Sequence, residues 1–218
     1  MPSYKPTHIP HGLANSSKRT IRNPGIKDEA EFLKYGLETG GEYFEVRTLV
    51  KPGGGVPLHS HGSYGEEFYP DIGTLGVVGE NGTKTMLLEK GQTYRIKPGE
   101  WHRFFNPSDT EDIIWSARVY PAHQGFEKVL YIYYGLAEEG HCDAAGAPTS
   151  MYYALMLMNM GEVSYPGFVM FFLGFAAVLV GWWARISGEE ERLTRKYYGV
   201  PITDDNRGEA DKYMKKEL

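Results

Sequence analysis

The chain has 218 residues and a formal net charge of -5, with 27 glycines, 16 tyrosines and a single cysteine, Cys142. So mild a charge points neither to nucleic acid nor to a broad acidic membrane surface as a partner. One cysteine cannot close an internal disulfide, so the fold does not rest on an oxidising compartment, and the length suits one ordinary domain with extensions.

Residues 1–40 read as an N-terminal arm followed by a short helix. The first twenty are rich in Pro, His, Ser and Asn and predict a flexible or draped arm. MPSYKPTHIPHG has no apolar core of seven or more residues, so no secretory signal peptide is expected. Asp28 is placed to start the helix, with Phe32 and Leu33 turned inward and Gly40-Gly41 ending it. Over 41–122 the period changes to two. EYFEVRTLV, VPLHSH, EEFYPDIGTLGVVG, TKTMLLEKG, QTYRIKPGE, WHRFFN and EDIIWSARVYP are short strand candidates. Gly, Pro or Asn turns, among them Glu80-Asn81-Gly82, separate them every eight to twelve residues, the spacing of a β-barrel or sandwich.

A helical extension is expected over 123–162. GFEKVLYIYYGLAEEG sets Phe126, Val129, Leu130 and Tyr133 on one stripe, and the methionine-rich MYYALMLMNM suits a helix lying on the barrel or at a membrane interface. Residues 163–184 hold no charge and are long enough to cross a bilayer. Trp182, Trp183 and Arg185 stand where an interfacial anchor belongs. The expectation is a transmembrane helix over 163–186; the alternative is a helix buried in the domain or in a homodimer interface. A charged tail, 187–218, follows, in which Glu191 and Arg195 are four apart and can support a short exposed helix.

Two blocks carry the chemistry. In GGGVPLHSHGSYGEEFYPDIG, His59 and His61 are two apart, so in a strand both imidazoles project from one face. Glu66 adds a carboxylate to these neutral nitrogens. Adjacent Glu67 points to the opposite face, unless a bulge swaps the two. The second block, Gly91 to Asn106, contains His102.

Together the blocks resemble the two-motif signature of the cupin superfamily. The first runs Gly53, five residues, His59-x-His61, four residues, Glu66, six residues, Gly73; the second runs Gly91, Gly99, two residues, His102, three residues, Asn106. One position departs: the usual proline two before Gly99 is Lys97, with Pro98 following. Residues 20–140 also resemble small single-domain (type-2) cupins with a hydrophobic C-terminal extension. The resemblance implies a mainly β fold, a cupin jelly-roll β-barrel with C-terminal helices. It implies His59, His61, Glu66 and His102 as ligands of a divalent metal, leaving two positions of a six-coordinate ion for water, dioxygen or substrate. Fe, Mn, Ni, Cu and Zn all suit such a set, and a metal-free barrel is the alternative.

Strand parity aims Phe68 and Phe104 into the cavity, while Tyr64 can reach its mouth from the loop. Arg47 and Arg95 are candidates to hold an acidic substrate, against the alternative of snorkelling surface arginines. His8, His11, His123 and His141 lack ligand spacing and read as surface residues.

A small organic substrate or ligand is the expected partner. Cupins host dioxygenases, isomerases and decarboxylases, so the resemblance names no reaction. A non-catalytic small-molecule or metal-binding sensor and a membrane accessory module are the competing functions. Membrane topology stays open. Arg185, Arg192, Arg195 and Lys196 favour a cytoplasmic tail, whereas the missing export signal favours a cytosol-facing barrel. The ending Lys215-Lys216-Glu217-Leu218 looks like a dilysine retrieval signal or, more loosely, a lumenal retention tail. The location read from these features is an intracellular membrane, with the endoplasmic reticulum as one candidate.

Overall fold

The computed structural model describes residues 4–26 and 28–214, so the Lys215–Leu218 ending lies outside the described residues. The N-terminal segment is draped over the domain. Strand β1 (His8–Pro10) leads into a one-turn helix α1 (His11–Ala14), a 3-10 turn at Ser16–Arg19 and strand β2 (Thr20–Asn23). β1 pairs antiparallel with residues Gly199–Pro201, and His8 and Ile9 are buried there.

Asp28 does not start a helix. Asp28–Lys34 is strand β3, hydrogen-bonded to β2 on one side and to β4 (Phe44–Val50) on the other. Asp28, Ala30 and Phe32 point inward, while Leu33 is only half-buried. Partners on both sides override the local helix signal, which is the usual fate of weak propensities in a sheet. The remaining strands are β5 (Ser60–His61), β6 (Gly65–Ile72), β7 (Leu75–Gly79), β8 (Lys84–Leu88), β9 (Tyr94–Ile96), β10 (Arg103–Phe105) and β11 (Ile113–Tyr120). Residues Glu80, Asn81 and Gly82 all take positive φ (49°, 59° and 81°) in the turn that joins β7 to β8.

Six strands form one sheet in the order β2-β3-β4-β11-β6-β9, and three form another in the order β10-β7-β8. In β4, Phe44, Val46, Thr48 and Val50 are buried while Arg47 faces out, the alternation of a sheet with one covered face. The main core draws on both sheets: Phe32, Phe44, Phe68 and Trp115 from the larger, Leu75 and Val77 from the smaller. Each such side chain contributes roughly 1.5–3 kcal/mol by leaving water. This two-sheet arrangement is a jelly-roll fold.

Helix α2 (Gln124–Glu138) follows β11 and then α3 (Met151–Met160), a two-residue strand β12 (Val163–Ser164) and α4 (Phe168–Ile186). The chain closes with α5 (Glu189–Tyr197), β13 (Gly199–Pro201) and α6 (Arg207–Met214). The expected single stripe on α2 is split. Phe126 and Leu130 lean on the sheet core, whereas Val129, Ile132 and Leu136 join Met156, Met160, Ala184 and Leu193 in a second core. Covered on two sides, α2 buries even Glu127, which accepts hydrogen bonds from Gly36 N (2.7 Å) and from the Tyr198 hydroxyl. In α5, Glu191 and Arg195 form the expected i,i+4 pair at 2.6 Å.

Helix α4 is apolar and mostly uncovered: 17% of its most apolar window is buried in the protein. A helix buried within this chain is therefore not what the apolar segment makes.

Candidate metal centre

The two sequence blocks meet through their backbones. His59 N donates to His102 O at 2.9 Å, and His102 N donates to His59 O at 2.8 Å. Just upstream, Val56 N donates to Phe104 O at 3.2 Å. Gly55, at φ 153°, makes this approach feasible, because a Cβ there would meet the Phe104 and Phe105 backbone. On the other flank Gly99 N donates to His61 O at 2.7 Å. This pairing brings His59, His61 and His102 together, and β6 adds Glu66 beside them.

The four potential donor atoms lie within 4.8 Å of one another. His61, Glu66 and His102 are buried, and His59 is partly exposed. Each imidazole has its Nδ1 committed outward. His59 Nδ1 donates to Pro57 O and His102 Nδ1 donates to Glu100 O, both at 2.8 Å. Tyr64 donates its hydroxyl proton to Gly161 O at 2.6 Å, because a carbonyl only accepts. Its oxygen therefore accepts from His61 Nδ1 at 2.7 Å. These bonds leave the three Nε2 atoms to face the cluster.

Protonation follows from burial and charge. Burial, helped by neighbouring His102, lowers His59 to about 4, and burial lowers His61 to about 3. Burial opposes ionisation of Glu66, but the His102 hydrogen bond and the surrounding imidazoles hold its carboxyl down at about 2. Burial also opposes charging of His102, yet the 2.8 Å contact from its Nε2 to Glu66 Oε2 raises it. Two neutral imidazoles, one carboxylate and one imidazole that a cation would deprotonate are the ligand forms of these groups.

The donor set fits a divalent metal on an independent ground. His61 Nε2 is buried and makes no hydrogen bond among the described residues, with Glu66 Oε2 3.8 Å away. Such an atom lacks a partner that a metal ion would supply.

Register separates the two glutamates. Glu66 lies opposite Ile96 and points inward, while Glu67 lies opposite Arg95 and reaches its guanidinium at 3.4 Å. Arg95 also sits over the Tyr120 ring. Arg47 is exposed as well, 3.8 Å from Asp71 and 3.9 Å from Glu31. Both arginines are thus on the outer face of the sheet, paired with acids, and neither lines the interior as a substrate-holding residue.

Phe68 does face inward, its ring 6.1 Å from that of His102 and 4.9 Å from that of Trp115. Phe104 packs on Trp115 at 4.4 Å. Tyr64 is fully buried and serves as a strut against His61, not as a residue of the mouth.

Several neighbours had no signal in the motif spacing. Trp115 shares strand parity with Ile113 and Ala117, and that parity is the only clue to it. Phe126 comes from α2, 5.0 Å from the His61 ring. His123 is half-buried and held in place: it caps α2 by accepting from Phe126 N at 3.0 Å, packs on Tyr64 and contacts Glu162 at 3.3 Å. His8 is also buried, 3.0 Å from Glu191. Finally β12 pairs with β5, Val163 opposite His61, and Tyr165 reaches within 6.4 Å of the His59 ring. The segment from Gly161 to Tyr165 is therefore a strap along the cluster.

The family described as Cupin domain matches residues 46–116. Among solved structures, an RmlC-like cupin from Shewanella frigidimarina is 20% identical, covering 49% of this chain and 86% of that one, with a TM-score of 0.41. A predicted oxalate decarboxylase from Thermotoga maritima is 22% identical, covering 43% and 80%, with a TM-score of 0.40. The polyketide cyclase RemF from Streptomyces resistomycificus is 24% identical, covering 46% and 70%, with a TM-score of 0.39. No curated protein matches the chain at a significant level.

Proposed function

We propose that this chain, whose residues 46–116 match the Cupin domain family, is a metal-dependent cupin acting on a small organic molecule. His59, His61, Glu66 and His102 would hold one divalent ion. The observation that carries this reading is the convergence of three Nε2 atoms and a carboxylate, with His61 Nε2 buried and unbonded among the described residues. A bound ion would supply Lewis acidity toward an enol or carboxylate, or activation of dioxygen.

The chain's own residues would do the rest. Phe68, Phe104 and Trp115 make an apolar wall next to His102 that excludes water. Trp115 Nε1 is buried with no hydrogen bond among the described residues, so it is free to donate to an oxygen of the bound molecule. Wall and donor together suit a planar, oxygen-bearing compound. Beyond the four ligands, the titratable Tyr64 and His123 at the cluster are held in structural hydrogen bonds. Tyr165 also borders His59, but burial raises its hydroxyl further from the range of a base, which favours oxygenase-like over isomerase chemistry. The reading includes attachment to a membrane through α4, supported by that helix's uncovered apolar surface.

A second reading is a carrier or sensor that binds without turnover. The close packing of His61 between Tyr64 (4.5 Å) and Phe126 (5.0 Å) favours it, since such packing leaves little room beside that ligand.

Metal analysis of the full chain after gentle, chelator-free purification tests the centre. About one divalent ion per chain is expected, with loss in His59→Ala and His102→Ala. A wild type without stoichiometric metal, or equal metal in the variants, ends the metal-dependent reading.

A further inference from the structure

We propose that α4 is a monotopic anchor that lies in the plane of one lipid leaflet and seats the metal cluster at that surface. The inference rests on the membrane attachment proposed above and concerns its geometry.

The nineteen residues of α4 extend about 28 Å, enough to cross a bilayer by length. Its surroundings argue against an upright span. Ala177, Gly181 and Ala184 are buried along one side. The Asn159 amide of α3 lies against Gly181, where a Cβ would collide with it, and Arg185 donates to Asn159 Oδ1 at 3.1 Å. Tyr153 of α3 donates to Glu189 just past the end of α4, at 3.0 Å. Helix α3 therefore runs antiparallel along the C-terminal half of α4, with the second core behind it. An upright α4 would carry α3, Asn159 and the helices behind them into hydrocarbon, where polar groups are costly.

The opposite side is open. At about 100° per residue, the exposed apolar side chains of α4 fill an arc of about 180° along its whole length. Phe168, Phe171, Phe172, Phe175, Leu179 and Trp182 lie on it, and the large side chains of the arc are all apolar. A helix in the leaflet plane immerses this arc and leaves α3 and the domain outside. The width of the arc favours lipid over a second copy of the chain. A single partner helix covers a stripe about 100° wide, which would leave Val178 and Phe171 at one margin and Val169 at the other in water.

The same orientation fixes where the cluster sits. Strand β12 hydrogen-bonds to β5, which carries His61, and only Tyr165, Pro166 and Gly167 separate it from Phe168. His59 is the partly exposed member of the cluster, and Tyr165 borders it. The open edge of the site thus adjoins the anchor's first turn. A compound that partitions into the leaflet would reach the cluster along this edge.

Depth measurement in bilayers tests the proposal. Single cysteines at Phe168, Phe175, Leu179, Ile186 and Ser164, each in a Cys142→Ser full chain, are labelled with an environment-sensitive fluorophore. Phosphatidylcholine vesicles with nitroxides at defined acyl positions are then added. In-plane seating gives the four α4 positions one shallow depth and Ser164 a headgroup depth. A second pair of cysteines, at exposed Ala144 and Asp205, reports sidedness to an impermeant thiol reagent; both should react from the same side. A depth profile with Phe175 and Leu179 deepest, or reaction of Ala144→Cys and Asp205→Cys from opposite sides, means a span and overturns this proposal while sparing membrane attachment. Failure to bind vesicles, with cross-linking of Phe175→Cys between chains, overturns both. Metal content is read separately, so neither result bears on the metal centre.

Discussion

The Tyr64 hydroxyl joins His61, three residues before it in the chain, to the carbonyl of Gly161, 97 residues away. One hydroxyl thus sets the tautomer of a candidate ligand and pins the strap that leads to α4. Removing it should loosen the centre without emptying the core. Tyr64→Phe keeps the ring and its packing on Phe126 but frees both partners. Metal affinity is expected to fall by about 10–100-fold, the usual loss when a ligand's outer hydrogen bond is removed. Competition titration with a chromophoric chelator measures it. Affinity equal to wild type would show that His61 needs no such support.

The two adjacent glutamates should behave oppositely. Glu66→Gln removes the only carboxylate of the cluster and is expected to abolish stoichiometric metal. Glu67→Gln loses an outward pair with exposed Arg95, worth at most about 1 kcal/mol. Its metal content should match wild type. Parallel metal analysis of both variants decides the matter, and equal loss in both would contradict the register of β6 against β9.

Glu127 makes stability depend on pH. Burial raises its carboxyl to about 7, against the opposing Tyr198 hydroxyl, Gly36 N–H and Lys128 charge. The folded state therefore holds the proton more tightly than the unfolded chain, whose value is near 4.5. Stability from this group is fully present below about pH 4.5 and is lost as pH rises through about 7, on the order of 3 kcal/mol in all. Glu127→Gln should flatten this part of the profile. Urea midpoints between pH 4.5 and 8 measure the difference; an unchanged slope would mean that Glu127 ionises at its ordinary value.

Phe32 holds the inner face of β3 to the core, stacked 5.0 Å from Tyr35 and tilted against Tyr131 at 4.9 Å. Phe32→Ala should cost about 3–5 kcal/mol. Leu33→Ala, at a half-buried neighbouring position, should cost less. Chemical denaturation of both variants tests whether this stretch packs as a strand. Were it an amphipathic helix with both residues inward, the two losses would be similar.

The candidate site was more legible in the sequence than its surroundings, for a physical reason. His59 and His61 share a face because side chains alternate along extended backbone, and the same rule parts Glu66 from Glu67. Parity also aimed Phe68 inward. It could not say that Arg47 and Arg95 meet Asp71 and Glu67 outside, since that depends on which strands become neighbours. Asp28–Lys34 looked helical because local spacing competes poorly with two flanking strands. His123 and His8 looked superficial because their covers, Glu162 with Tyr64 and Glu191, come from distant parts of the chain.

By itself the sequence determined the four potential donors, the turns that frame them and the existence of one long apolar helix. The donor set follows from the resemblance of the two blocks to the cupin motifs, and the rest from turn residues and an uncharged run, all properties of short stretches of chain. Only the tertiary structure decided that the two blocks hydrogen-bond through His59 and His102, that Tyr64 braces His61 against Gly161, and that α3 covers one side of α4. Each is a contact between segments far apart in the chain, and such contacts are set by how sheets and helices pack.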